Sequence, residues 1–175
     1  MCCLSGLVSL TTPKPICDAG VAALSHGRVG YTSNAGIHEL RERISSYLSD
    51  RYGVRYDPDA EILVTVGVSE ALHIALLALV DPGDAVLVPE PCFVAYNPCV
   101  SFANAEPIPV ETTVDDGFQV TVDRVEAAMQ RRVKALLLSY PNNPTGAVMG
   151  RERLLEVARF ARENDLVVIS DEIYE

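Results

Sequence analysis

Five short apolar runs, separated by stretches of helical spacing, constrain the fold of this chain more than any other feature. They are ILVTV (62–66), AVLVP (85–89), PIPV (107–110), ALLLSY (135–140) and LVVIS (166–170), each near strand length. Four segments of helical character lie between them, roughly Glu70–Val80, Phe93–Phe102, Val122–Arg131 and Arg151–Glu163. Strands that alternate with helices form β-α-β units. Their right-handed crossover makes the strands parallel, and helices on both faces explain why the runs are apolar throughout. The expectation is an α/β fold with a mainly parallel sheet as the middle of three layers. Before the first run, Ile37, Leu40, Ile44, Tyr47 and Leu48 recur at three- and four-residue spacing, and Gly53 follows Arg51 and Tyr52. That pattern predicts an amphipathic helix from about Ala35 with a glycine stop.

Parallel strands all end on one edge of the sheet, and such sheets bind ligands there. The segments that follow the runs are therefore the candidates: GVSEA (67–71), PEPCF (89–93), PNNPTG (141–146) and DEIY (171–174). GVSEA sets a glycine and a hydroxyl at a helix start, where free N–H groups and the positive end of the dipole suit an anion such as phosphate; Ser69 as a simple cap accounts for it equally. Phe93 opens the next helix, as a core residue or as a flat plate for a ligand ring. PNNPTG is a turn by composition and also a rigid mount for a side-chain amide. Asp171 follows a wholly apolar strand, where a carboxylate is costly unless it caps a helix or meets a cation. Together the endings supply an anion nest, an aromatic plate, an amide and a buried carboxylate. A phosphorylated aromatic ring with a phenolic oxygen and a protonatable nitrogen would satisfy all four, and pyridoxal phosphate has those groups.

A chain of 175 residues, 49% hydrophobic and 22% charged, has the size and apolarity of one folded domain or part of one, not of a disordered tail. A formal charge of −10, with no basic cluster beyond pairs such as Arg131 and Arg132, lacks the footprint that holds a phosphate backbone, so nucleic acid is not an expected partner. Cys2, Cys3, Cys17, Cys92 and Cys99 show no C-x-x-C spacing and fit neither a disulfide framework nor a zinc site; a reducing cytoplasm is the expected compartment. MCCLSGLVSL is apolar but has no basic leader or small-residue cleavage site, and it is too short to span a membrane. Cys92, His26, His38 and His73 belong to no motif and read as packing or surface residues.

Through YTSNAGIHELR, VTVGVSEAL, DAVLVPEPCFVAY, SYPNNPTGAV and VVISDEIYE, the chain from about Thr12 to Glu175 resembles the first half of the class I/II aminotransferases, fold-type I pyridoxal-phosphate enzymes, and within them the aspartate-aminotransferase-like branch. The resemblance implies that residues 13–175 are the N-terminal part of the cofactor-binding large domain, with residues 1–12 an atypical arm where the family has a glycine-rich one. It implies that Gly67, Val68 and Ser69 bind the cofactor phosphate through their N–H groups and that Phe93 stacks on the pyridine ring. Asn143 and Tyr174 would hold the phenolic oxygen, and Asp171 would pair with the protonated ring nitrogen, keeping the ring an electron sink. Tyr31 matches a tyrosine that reaches the phosphate of the neighbouring subunit, which implies a homodimer; the local sequence by itself reads as a turn. The implied reaction moves an amino group between an α-amino acid and a 2-oxo acid.

The family also needs a lysine that bonds the cofactor aldehyde and shuttles the α-proton. The lysines here are Lys14, before the first clear helix, and Lys134, before the ALLLSY strand and so on the sheet edge opposite the motifs. In the family that Schiff-base lysine, the arginines for phosphate and substrate carboxylate, and two central strands all follow the counterpart of Asp171. The expectation is therefore a fragment with an incomplete sheet, a gap between Ser69 and Asp171, unpaired strand edges and poor solubility in isolation. Three functional readings follow: the large-domain portion of an aminotransferase, a truncated product that binds cofactor without catalysis, and a β-lyase, decarboxylase or racemase of the same fold. The glycine signatures of nucleotide-binding loops are absent.

Overall fold

The computed structural model describes residues 11–174. The first ten residues of the expected arm, with Cys2 and Cys3, and Glu175 lie outside the described residues. The chain divides into two compact units, one up to Val64 and one from Thr65.

The first unit carries two helices, α1 (Lys14–Ser25) and α2 (His38–Tyr52). The sequence pattern did not announce α1. Proline at its start is pre-set for a first turn, and Lys14 pairs with Asp18 one turn on at 2.7 Å. The predicted helix after Ala35 is α2, and Gly53 ends it in the left-handed region at φ 70° with its N–H on the Ser49 carbonyl. It starts at His38 because Gly36, at φ 94°, is needed for a close approach: a Cβ there would sit 2.6 Å from Val64 Cβ. The Val64 N–H bonds the Ala35 carbonyl at 3.0 Å. Arg41 is buried, and its guanidinium ties α2 to the following turn by donating to the Pro58 carbonyl, 3.6 Å from the Asp59 carboxylate.

The second unit holds a four-stranded, wholly parallel sheet in the order β2-β1-β3-β4, formed by β1 (Ala85–Glu90), β2 (Glu106–Glu111), β3 (Val133–Ser139) and β4 (Val167–Asp171). Helices α3 (Gly67–Leu79), α4 (Tyr96–Phe102), α5 (Val122–Ala128) and α6 (Arg151–Glu163) connect and cover it. Side chains of period two divide the core in two. Val86, Val88 and Leu137 pack with Leu72 and Leu76 of α3 and Val100 of α4 on one face. Leu87, Leu136 and Leu138 pack with Val125 of α5 and Val157 and Ala161 of α6 on the other. This is the expected three-layer α/β arrangement, and it accounts for the continuous burial of β1.

Four runs became strands and one did not. ILVTV at 62–66 pairs with no strand, and Leu63 and Val66 stand exposed at 50% and 89%. An apolar run becomes a strand only where a neighbour takes its backbone groups, and none of the described strands lies beside it. Helix α4 begins at Tyr96, not Phe93, because Pro98 lacks an N–H and is tolerated only within a first turn. Helix α5 ends at Ala128, not Arg131, as Met129 turns extended and Arg132 enters the left-handed region at φ 71°. β4 forms a sheet edge. Open clefts of about 370 Å³ against α3, lined by Val68, Leu72 and Ile169, and about 380 Å³ against α6, lined by Leu138, Leu154 and Val168, flank it.

Candidate functional site

The C-terminal ends of β1, β3 and β4 and the start of α3 meet at a cleft of about 190 Å³. Its lining includes Gly67, Val68 and Ser69 from α3, Phe93 and Tyr96 after β1, Ser139 and Asn143 after β3, and Asp171 and Tyr174 after β4. Parallel topology explains the convergence, since every strand delivers its next residues to one rim.

Helix α3 begins with Gly67 at φ 77°, a conformation that L side chains rarely adopt, although a Cβ there would meet nothing within 4 Å. Ser69 sits inside the first turn and caps nothing, against the capping alternative for it; Val66 precedes the helix, and its N–H is taken by the Glu70 carboxylate. The first-turn N–H groups have no acceptor within the helix and face the positive end of its dipole. After β3, Asn142 is buried and holds the turn: its Oδ1 accepts from the Thr145 hydroxyl at 2.8 Å and its N–H bonds the Ala147 carbonyl at 2.9 Å. Asn143 is thereby presented to the cleft, and among the described residues its side-chain amide has no hydrogen-bond partner.

Asp171 is the most constrained polar group of the cleft. It is buried, its Oδ2 accepts the Tyr96 O–H at 2.8 Å, and its Oδ1 accepts the Ile173 N–H at 3.1 Å. No lysine or arginine among the described residues pairs with it. Tyr96 is 2% exposed and meets Phe93 edge-on, ring centroids 5.7 Å apart at 77°. Burial pushes the Tyr96 phenol well above its ordinary value; the Ser139 hydroxyl opposes that shift and the Asp171 carboxylate adds to it. The nearby Cys92 thiol is pushed up to about 11, first by burial and then by the charge of Glu90, so it stays protonated and unreactive at neutral pH.

Residues 5–175 match the model of the family described as aminotransferase class I and II. The chain belongs to that family. A putative aminotransferase of Bacillus subtilis is 46% identical over 98% of the chain and 46% of its own length, and an aspartate aminotransferase of Pyrococcus abyssi is 40% identical over 94% and 42%. The crystal structure of an aromatic aminotransferase from Pyrococcus horikoshii superposes with a TM-score of 0.93 at 40% identity, covering 95% of this chain and 45% of that one. The chain thus spans less than half the length of the aminotransferases it matches.

Of the residues that the aminotransferase motifs single out, Gly67, Val68, Ser69, Phe93, Asn143, Asp171 and Tyr174 share the one cleft. Tyr31 belongs to the first unit, where its side chain is fully exposed. Lys134 lies near the start of β3, at the far end of that strand from Ser139, and Lys14 opens α1. Reading by sequence missed Tyr96 and Ser139. The i, i+3 spacing of Phe93 and Tyr96 in PCFVAY was the available signal for the former. Among the described residues no helix is long and apolar enough to cross a membrane.

Proposed function

We propose that the cleft binds pyridoxal 5'-phosphate, and that the chain serves an aminotransferase that moves an amino group between an α-amino acid and a 2-oxo acid. Asp171 carries the reading. A buried carboxylate with two donors and no cation is an incomplete ion pair, and a protonated ring nitrogen would complete it. The rest of the donor set fits the same ligand. The N–H groups of Gly67, Val68 and Ser69 at the start of a 13-residue helix suit its phosphate. Phe93 offers a ring face, while the amide of Asn143 and the hydroxyl of Tyr174 suit its phenolic oxygen.

When bound, the cofactor draws off the electrons left as the α-proton of an amino acid departs. The chain's own residues have simpler tasks. Asp171 would hold the proton on the ring nitrogen, each unit of added basicity there being worth about 1.4 kcal/mol. The start of α3 would anchor the phosphate, and Phe93 would fix the tilt of the ring. Neither lysine of the chain lines the cleft, which favours reversible binding without a covalent bond in this chain alone. A homodimer in which Tyr31 reaches a partner's phosphate belongs to the same proposal, supported by the full exposure of its side chain, as does a cytoplasmic location.

Absorbance titration of the chain with pyridoxal phosphate, before and after borohydride, tests the reading. Saturable binding is expected, with no lysine adduct after reduction, competition by inorganic phosphate, and severalfold weaker binding in Phe93→Ala. Binding that is absent, or indifferent to both phosphate and Phe93→Ala, would refute it.

A further inference from the structure

Phe93 stands on the short segment 91–95 between β1 and α4, and packing holds that segment only in part. Cys92, Phe93 and Ala95 rest half-buried against the core, whereas Pro91 is exposed and Val94 is 79% exposed. Polar contacts hold its two ends. At the β1 end the Glu90 carbonyl accepts the Thr112 N–H at 2.9 Å and the Thr112 hydroxyl at 2.8 Å, which ties it to the residue after β2. At the α4 end the Tyr96 N–H bonds the Phe93 carbonyl at 3.1 Å. One side-chain bond joins the ends: Asn97, in the first turn of α4, donates from Nδ2 to Glu90 Oε1 at 2.9 Å. The Glu90 carboxylate is half-buried and meets this amide, and no lysine or arginine among the described residues pairs with it. Such a carboxylate is costly to withdraw from water, and what it secures here is the closure of residues 90–97 around Phe93.

We propose that Glu90 and Asn97 are positioning residues of the candidate site: their hydrogen bond closes the 90–97 segment and fixes the direction in which Phe93 presents its ring to a bound heterocycle. The proposal rests on the pyridoxal-phosphate reading above. Neither residue lines the cleft, and both act through Phe93. Asn97→Ala removes the bond but keeps the edge-on contact of Phe93 with Tyr96, so the plate stays in place and its tilt is less narrowly set. Cofactor affinity then falls roughly 2- to 10-fold, the net worth of one ordinary hydrogen bond.

The test uses the 175-residue chain with pyridoxal phosphate. Absorbance titration reads affinity, and the circular dichroism induced in the cofactor's absorption band reads the orientation of its ring. Asn97→Ala and Glu90→Ala lower both. Glu90→Gln, whose amide oxygen can still accept from Asn97, keeps both, and in a Phe93→Ala background Asn97→Ala changes neither. Unchanged affinity and dichroism in Asn97→Ala overturn the proposal and leave the cofactor reading standing; an equal loss in the Phe93→Ala background, or a Glu90→Gln variant as impaired as Glu90→Ala, overturns it too. Absence of saturable binding in the unsubstituted chain overturns the cofactor reading and this inference with it. A ligand-free arm reads the closure through Cys92, beside Phe93. Its thiol is held up at about 11 by burial and then by the Glu90 charge, and in Asn97→Ala both causes weaken. Alkylation at neutral pH, mapped by peptide mass, therefore speeds up severalfold at Cys92, while Cys99, buried in α4, stays protected. An unmoved Cys92 rate, or an equal gain at Cys99, overturns the closure.

Discussion

Asp171→Asn separates a carboxylate kept for a ligand from one kept for the fold. In the structure the carboxylate receives two hydrogen bonds, at 2.8 Å from Tyr96 and 3.1 Å from Ile173, and no lysine or arginine among the described residues pairs with it. Asparagine is nearly isosteric and can accept one of these bonds, while its NH2 must face the other donor. The lost bond to a charged acceptor costs about 1.5–3 kcal/mol. Against this, burying an ion without a partner costs several kcal/mol, and the neutral amide removes most of that penalty. The two effects are of similar size and opposite sign. Stability by urea denaturation should therefore change by no more than about 1 kcal/mol in either direction. Pyridoxal phosphate affinity, measured by absorbance titration on the same samples, should fall by up to about tenfold, equivalent to roughly 1.4 kcal/mol. A loss of stability above about 3 kcal/mol, the range for breaking a needed buried contact, together with unchanged affinity, would show that Asp171 is a structural cap and refute the reasoning.

Further expectations concern the scaffold. Leu76→Ala, at a wholly buried position of α3, should cost about 2–5 kcal/mol by urea denaturation, whereas Leu77→Ala, 53% exposed, should stay within about 0.5 kcal/mol. Gly36→Ala should lower the melting temperature more than Gly67→Ala: both residues have positive φ, but only at Gly36 would the Cβ collide with a neighbour, Val64 Cβ at 2.6 Å. Asp84 is held below the usual carboxylate range, first by the Asp81 N–H and then by Arg132, whose guanidinium sits 3.0 Å away. Its contribution is therefore present above the unfolded value of about 3.9 and is lost as pH falls through the lower folded value. Denaturation midpoints should accordingly decline less steeply below about pH 4 in Asp84→Asn than in the unsubstituted chain.

Helices α2 and α6 were legible because their signals are local. Apolar spacing and the Gly53 stop specify α2, and Arg151–Glu163 is one amphipathic segment in pattern and in structure. The two inner strands were legible for a related reason: a run buried on both faces is apolar, and residues 85–89 of β1 and 135–138 of β3 are. ILVTV has the same texture and failed, because a strand is a property of a pair and its apolar pattern says nothing about whether a neighbour stands beside it. The start of α4 was misplaced for want of weight on Pro98. In the candidate site the segments were legible and one link was not. Phe93, Asn143 and Asp171 each followed a strand-like run, but nothing near Tyr96 announces a carboxylate 75 positions later.

The order of residues alone determined which chemical groups the chain could bring to one rim, since alternation of strand and helix with right-handed crossovers sends every post-strand segment to the same edge. Four of the five aminotransferase motifs carry those segments, while YTSNAGIHELR precedes them all. Tertiary structure alone decided how the groups meet. The β2-β1-β3-β4 order sets the end of β4 within reach of α4, and packing of Tyr96 between the sheet and Phe93 then aims its hydroxyl at Asp171. Local propensity carries no information about such a contact, because it arises only when segments distant in sequence are packed to fixed separations.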